Sequence, residues 1–449
     1  MGKKILCALF VCVFLLLSVS LSLGILAAGP SEAGANERLS KAPVLVDEDG
    51  KLNTSYLSEA AGWINDHFFL RQELISLNNW LKANVFATSG TDDVLLGKDG
   101  WLFYGSTLDD FTGRDPMTQR QLCSAANNIA LMAEYAQSQG RDFAFMIAPN
   151  KNSLYPQYMK DYGAVSEVHD AHRLQQLLEQ MGVSYIDLFT VLGEADKDAV
   201  APLYFAHDSH WNDMGAALAA DVINARFGKT SSYYQRTNFS YPIRYTGDLY
   251  EMVYPAFADP EDSWFYSGEA LEYEFTSKAT QPDSITLLTG SDEAGSLLVY
   301  RDSFGNLLYP YLADSYGSVR FSRATSYDLT QEGEYVLIEL VERNLRYLIT
   351  YVPVMESPVR NIALPENASG SAQIQSKPKS KAPEGWCLWQ GELPVQPDDF
   401  AGVHVACGDK VYGAFCLENN GYAVYLPENE VPDALAFIVD GNMQTFTIQ

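Results

Sequence analysis

The chain has 449 residues, 47% of them hydrophobic, and carries 57 acidic against 30 basic side chains for a formal net charge of −27. That length predicts two or three folded units, and that apolar content a large core, which excludes disorder as the main state. A chain this acidic repels phosphate polymers, and its basic residues cluster only in short stretches such as SKPKSK (376–381), so nucleic acid is excluded as a partner.

MGKK opens the sequence, and an uncharged run, ILCALFVCVFLLLSVSLSLGILAA, follows from Ile5 to Ala28. It is long enough to cross a hydrocarbon core of about 30 Å. The two lysines before it predict an exported chain held by an uncleaved anchor. A signal peptide cut at LAAG or AGA is the alternative reading of the same residues. Beyond a polar stretch, the apolar residues of YLSEAAGWINDHFFLRQELISLNNWLKANVF (56–86) recur at three and four, which predicts an amphipathic helix or helix pair. His67, inside it, reads as packing or surface. GKDGWLFYG (97–105) reads as a turn and a strand.

A helix is expected over 118–139, a buried strand and a Pro-Asn loop in DFAFMIAPNK (142–151), a helix over 167–181 and a short strand in VSYIDL (183–188). Then comes HDSHWNDMGA (207–216), followed by a helix in GAALAADVINARF (215–227). SLLVY (296–300) is a buried strand, RDSFGN (301–306) a turn, LLYPYLADSYG (307–317) a helix, and EYVLIELVERNLRYL (334–348) a strand and a helix. Strands alternating with helices predict an α/β fold with a mostly parallel sheet flanked by helices. Loops that carry chemistry gather at the carboxyl ends of such strands, where both motifs below are expected.

PENASGSAQIQSKPKSKAPEG (365–385) has linker composition. Beyond it GVHVAC, VYGAFCL, YAVYLP and LAFIVD predict a small all-β domain. The expected organisation is an anchor or signal peptide over 1–30, a polar linker over 31–44, a catalytic domain over 45–362, a linker over 363–385 and a β domain over 386–449. In that last domain Trp386, Trp389, Tyr412 and Tyr422 are candidates for stacking on sugar; the plainer reading of aromatic residues there is core. Cys387, Cys407 and Cys416 allow one disulfide, with the pairing left open. No CxxC or Cys/His ligand spacing occurs, so no structural zinc is expected.

Two stretches can do chemistry. In an extended loop, residues i and i+2 share a side, so Asp208 and His210 face one cavity, with Asp208 taking the imidazole Nδ1 proton and Nε2 left as a base. Trp211 can wall the site, and Asn212 or Asp213 can cap the helix that follows. His207 lies on the opposite face, and no third ligand for a metal is indicated. The second stretch, SLLVYRDSFGN, runs a strand straight into Ser303, where a serine at a helix start is either a nucleophile beside backbone oxyanion donors or an ordinary cap. Asn150 and Lys151, at the end of the 142–148 strand, are candidate substrate or oxyanion contacts; solvated turn residues are the other reading. Arg301 reads as a partner of Asp302 or a surface residue. HDAH (169–172) reads as a solvated helix start, and His404 as structural.

D-S-H-W at 208–211 with G-A at 215–216 resembles the signature of the DHHW and AlgX/AlgJ-type proteins, which are SGNH-hydrolase-like. FFLRQELISLNNWL (68–81), GKDGWLFYG, APNKNSLYPQYM (148–159), GDLYEM (247–252) and RDSFGNLLYPYL (301–312) extend the likeness in order over about residues 45 to 350. The resemblance implies an SGNH-type fold and a triad of Asp208, His210 and Ser303, in permuted order relative to ordinary SGNH hydrolases. The chain departs from the DHHW pattern at Ser209, where that family has a second histidine. The resemblance further implies an extracytoplasmic polysaccharide O-acetyltransferase working through an acetyl-serine. A polysaccharide is then the acceptor, a membrane-bound O-acyltransferase supplies acetyl groups, and neither cofactor nor metal is expected. The same triad also suits a carbohydrate acetylesterase, and a non-catalytic polysaccharide-binding or assembly protein is the reading from another class.

Overall fold

DFAFMIA forms the strand Asp142–Ala148, buried at every position after the first. A run with no polar alternation needs cover on both faces, and the computed structural model, which describes residues 2–31, 39–46, 50–276, 287–290 and 294–449, supplies it. Phe143, Phe145 and Ile147 pack with the helices Gln119–Ser138 and Asp170–Gln180. The alternate residues Ala144, Met146 and Ala148 pack with Leu188–Asp198, Asp213–Arg226 and Tyr309–Ser315 on the other face. The period of two along a strand thus builds two cores from one segment.

The sheet order is Tyr185–Ile186, Asp142–Ala148, Tyr335–Val341, Ser296–Tyr300, Ser318–Ser322, Leu288–Thr289 and Glu274–Phe275. The first five are parallel neighbours, and the last two close one edge antiparallel. The sheet is therefore mostly parallel and mixed at that edge. Thr118 starts the long helix with a capping box to Gln121. The helix Leu188–Asp198, the strand Ser318–Ser322 and the ribbon of Phe239–Tyr245 with Glu261–Tyr266 were not expected from the sequence pattern.

Residues 56–86 form a helix pair, Tyr56–His67 and Arg71–Phe86, parted at Leu70, whose φ is 59°. Asn79 and Ser76 tie the second helix to the α/β lobe through Val253 O and Ala256 N. Part of the polar stretch expected over 31–44, residues 32–38, lies outside the described residues. Gly2–Ala28 is helical. Among the described residues no helix is long and apolar enough to cross a membrane.

Part of the segment read as a linker, 363–385, is sheet. Ala368–Ala372 and Ile374–Ser376 are strands that pair with Asn442–Ile448 and Trp386–Glu392, and Val359–Arg360 pairs with Lys410–Cys416. The Ser, Gly and Pro content that suggests a tether marks edge strands here. With Val403–Cys407, Gly421–Pro427 and Ala434–Val439 these make a nine-stranded sheet.

The expected disulfide is also absent: Cys387, Cys407 and Cys416 are all free. Register explains why. Cys407 pairs with Lys410, at the far end of the strand from Cys416. Cys387 faces Leu426 while Cys416 faces Tyr422, four positions away on the strand between them. Tyr412 and Tyr422 are buried, so neither can stack on a sugar; Trp386 and Trp389 are half-buried.

One apolar cluster spans both lobes. Leu388, Phe415, Ala423 and Tyr425 join the apolar cluster of the helix Gln119–Ser138. In the same seam buried Asn128 donates to Leu348 O and Cys416 O, each at 2.8 Å, and accepts from Cys416 N at 2.9 Å.

Candidate functional site

Past Tyr300 the chain turns at Arg301-Asp302, and Ser303 opens a short 3-10 turn, Ser303–Asn306. Asp302 holds that turn. Its carboxylate accepts from Phe304 N at 2.9 Å, Val341 N at 2.7 Å and Asn344 Nδ2 at 3.2 Å. Below it, buried Glu339 accepts from Asp302 N at 3.0 Å. Burial first, then the Asp302 charge, push the Glu339 carboxyl well above the usual carboxylate range. Arg301 is buried rather than on the surface, and it donates to Asp302 O and the Asn306 side chain. The cap is thus Asp302, which leaves the Ser303 hydroxyl free of that duty.

Asp208 and His210 do not sit at a strand end of the sheet, as the sequence pattern suggested. They lie on an irregular loop, closed by the bridge between Tyr204 and Trp211, that leads into the helix Asp213–Arg226. Asn212 caps that helix by accepting from Met214 N and Gly215 N.

Two opposite charges shape the loop. Glu261 accepts from the N–H groups of Ala206 and His207, each at 2.8 Å. Lys151 Nζ donates to the carbonyls of Phe205, Ala206 and Asp208 at 3.1, 3.0 and 2.6 Å. Gly247 packs against the same loop, where a Cβ would lie 2.2 Å from His207 O; only glycine permits that approach.

The loop and the turn meet across 93 residues: His210 Nε2 lies 2.8 Å from Ser303 Oγ. On the other side of the ring Nδ1 lies 2.7 Å from Asp208 Oδ1, which also accepts the His210 N–H at 2.9 Å. Asp208 Oδ2 accepts from Tyr245 OH at 2.9 Å and Asp248 N at 3.0 Å. Burial alone would raise the Asp208 pKa, but the His210 charge and these hydrogen bonds outweigh it and hold the carboxyl well below the usual range. For His210 burial acts downward, and the Asp208 charge and hydrogen bond outweigh it, so its pKa is raised. The Phe304 ring packs against the imidazole, centroids 4.9 Å apart. The constellation opens on a cavity of about 1000 Å³ that Tyr245, Asp248, Asn344, Arg323 and Arg343 also line.

The structure brings Asp208, His210 and Ser303 together and places the other candidates elsewhere. Asn150 is fully buried, donating from its side chain to Asp110 and from its N–H to Glu342. Lys151 is buried over the rings of Trp101 and Phe103. Trp211 is fully buried under the serine turn, its Nε1 donating to Phe304 O at 3.1 Å. None of the three can touch substrate, because each has its polar atoms spent on the scaffold. His207 stacks on Tyr250, away from the triad. His169 and His172 meet edge to face at the start of their helix, and His404 sits on a strand of the β lobe. Sequence reasoning missed Tyr245 and Asp248; the GDLYEM match contains Asp248, but nothing local signals its contact with Asp208.

Asp208, His210 and Asp248 each offer a ligating atom within 4.8 Å of the others. Yet Asp208 Oδ1 and His210 Nδ1 stand at hydrogen-bond distance, 2.7 Å. A tetrahedral cation with bonds of about 2.1 Å sets its ligands roughly 3.4 Å apart. The pair fits a shared proton better than an ion.

Residues 94–294 match the family model described as the SGNH hydrolase-like domain of the acetyltransferase AlgX. The chain carries an SGNH hydrolase-like domain over those residues, which include Asp208, His210 and Asp248. The match stops short of Ser303, whose place beside His210 comes from the geometry. No curated protein matches the chain. Similar solved structures include the O-acetyltransferase domain of Pseudomonas putida AlgJ, at 18% identity, 56% of this chain, 91% of that one and a TM-score of 0.38. A DHHW family protein from Eubacterium siraeum gives 15%, 59%, 97% and 0.40. Bacillus cereus PatB1 gives 15%, 56%, 96% and 0.40.

Proposed function

We propose that this chain is an extracytoplasmic serine-dependent O-acetyltransferase that modifies a cell-surface or secreted polysaccharide. One observation carries the reading: an unbroken hydrogen-bonded path, Asp208 to His210 at 2.7 Å and His210 to Ser303 at 2.8 Å, at the wall of a large cavity. Ser303 Oγ attacks the acetyl carbonyl as its proton passes to His210 Nε2, and the imidazolium returns that proton to the leaving group. A sugar hydroxyl, deprotonated by the same imidazole, then takes the acetyl from Ser303, and the imidazolium returns that proton to Ser303 Oγ as the acyl bond breaks. Phe304 N–H, the donor next to the nucleophile, already serves Asp302, so the developing oxyanion falls to other groups lining the cavity.

Two further assignments belong to this reading. A membrane-bound O-acyltransferase is the partner that supplies acetyl groups, and the uncharged run Ile5 to Ala28, on its sequence alone, is the segment that exports the chain, kept as an attachment or cleaved as a leader.

Incubating the protein with an activated acetyl donor, with and without oligosaccharides, tests the reading by mass spectrometry. Acetyl on Ser303 and then on sugar supports it. Acetate release without acetylated sugar makes the protein an esterase, and a serine that never acquires acetyl removes the enzyme altogether. The pH profile is a separate check. His210 accepts a proton only when neutral, and its pKa is raised above the ordinary value of about 6.5. Activity is therefore lost as pH falls through that raised value. We expect the acid limb of kcat/KM above pH ~6.5; an acid limb near pH 4 would assign the base to a carboxylate.

A further inference from the structure

The Asp208 carboxylate is not the only one within reach of the imidazole. Asp248, first residue of the helix Asp248–Val253, places Oδ2 at 3.7 Å from His210 Nδ1. Ser209 bridges the gap: its Oγ donates to Asp248 Oδ2 at 2.7 Å and stands 3.1 Å from Nδ1. Ser209 N donates to Asp248 Oδ1 at 2.7 Å, and Asp248 N to Asp208 Oδ2 at 3.0 Å. A capping carboxylate ordinarily accepts from its own helix; this one, although it opens the helix, spends both oxygens on the loop that bears the base.

We propose that Asp248 is a positioning residue for His210, a second carboxylate that acts through Ser209 to hold the ring and to stabilise the imidazolium formed when Ser303 gives up its proton. This inference rests on the serine-acylation reading for its catalytic meaning, and its geometry stands apart from it. As the bond from Ser303 Oγ to the acyl carbon forms, the Oγ proton goes to Nε2 and positive charge spreads over the ring. The Nδ1–H then faces Asp208 at 2.7 Å and Asp248 at 3.7 Å.

The other groups facing the ring are Ser303 and Phe304 from the serine turn and, from beyond the strand Tyr335–Val341, Arg343, whose charge opposes the imidazolium. Tyr245 reaches Asp208 from the ribbon, and Lys151 and Glu251 act on the two carboxylates from further away. Burial and the Asp208 charge raise the Asp248 pKa, while a charged His210 draws it back down. Its anion therefore forms most readily when the imidazolium does.

Asp248→Asn keeps the shape and the backbone N–H to Asp208 while removing the charge. The full-length protein with 15N-labelled histidine gives the His210 imidazole titration by NMR, assigned by loss of its signals in His210→Gln. We expect Asp248→Asn to lower the His210 midpoint by about 0.5 to 1 pH unit, and kcat/KM to fall about tenfold with its acid limb moved by the same amount. Ser209→Ala, which leaves the charge but removes the bridge, is expected to shift the midpoint the same way by less. An unchanged midpoint in Asp248→Asn overturns the proposal. Should that variant not fold, an unchanged midpoint in Ser209→Ala does so. The titration needs no acetyl donor, so it decides the role of Asp248 even where no acyl-enzyme forms.

Discussion

Ser303→Ala is expected to lower acetyl transfer by roughly 10⁴-fold or more and to leave no acyl adduct on the protein. Its unfolding midpoint should match that of the parent. The two halves of this expectation come from different residues. A serine that opens a helical turn is commonly its cap, and removing a cap costs about 1 kcal/mol. Here Asp302 makes the cap bond to Phe304 N, and the Ser303 hydroxyl has His210 Nε2 as its partner. The substitution therefore removes the hydroxyl that faces His210 and nothing that folds the turn. Stability and turnover are to be measured on the same preparation. A variant that is less stable yet still transfers acetyl would return Ser303 to the role of a cap.

Much of this was legible in the sequence because it is written locally. The unbroken apolar run of Phe143 to Ala148 can only be a strand covered on both faces, and the i, i+2 spacing of Asp208 and His210 sets them on one side of a loop. The missing parts depend on long-range packing. Asp248 reaches Asp208 from 40 residues away, and Tyr245 from 37. No periodicity records those contacts. Lys151 looked like a residue reaching for substrate because it ends a strand; the structure turns it inward, where three carbonyls await a cation. Strands Ala368–Ala372 and Ile374–Ser376 hid in linker-like composition because edge positions tolerate Ser and Gly.

Lys151→Met is the second large effect. The lysine is pushed down to about 8, by burial foremost, with the charges of Asp208, Asp248 and Glu261 opposing that shift; at pH 7 the ammonium form still predominates about tenfold. Methionine fills the space over Trp101 and Phe103 but leaves the carbonyls of Phe205 and Asp208 without their donor, and Ala206 O with the Leu102 N–H alone. Each buried unmet acceptor costs about 1–3 kcal/mol, partly offset because a buried charge is also removed. We expect a net loss of about 2–4 kcal/mol, read as a lower denaturant midpoint. Turnover should fall about 10- to 100-fold with little change in KM, because the loop that aims His210 loses its brace. Unchanged turnover would show that Glu261 and Gly247 suffice to hold the loop.

The seam at Asn128 has a consequence for how this chain can change. A helix that faced water on its outer side would carry polar residues there, yet Gln119–Ser138 turns Leu122, Ile129 and Leu131 into an apolar cluster, part of which the β lobe supplies. The last ninety or so residues are therefore a roof, not an appendage. A descendant could lose them only after repainting that helix with polar side chains, and a graft of the α/β lobe onto another protein would have to bring its roof along.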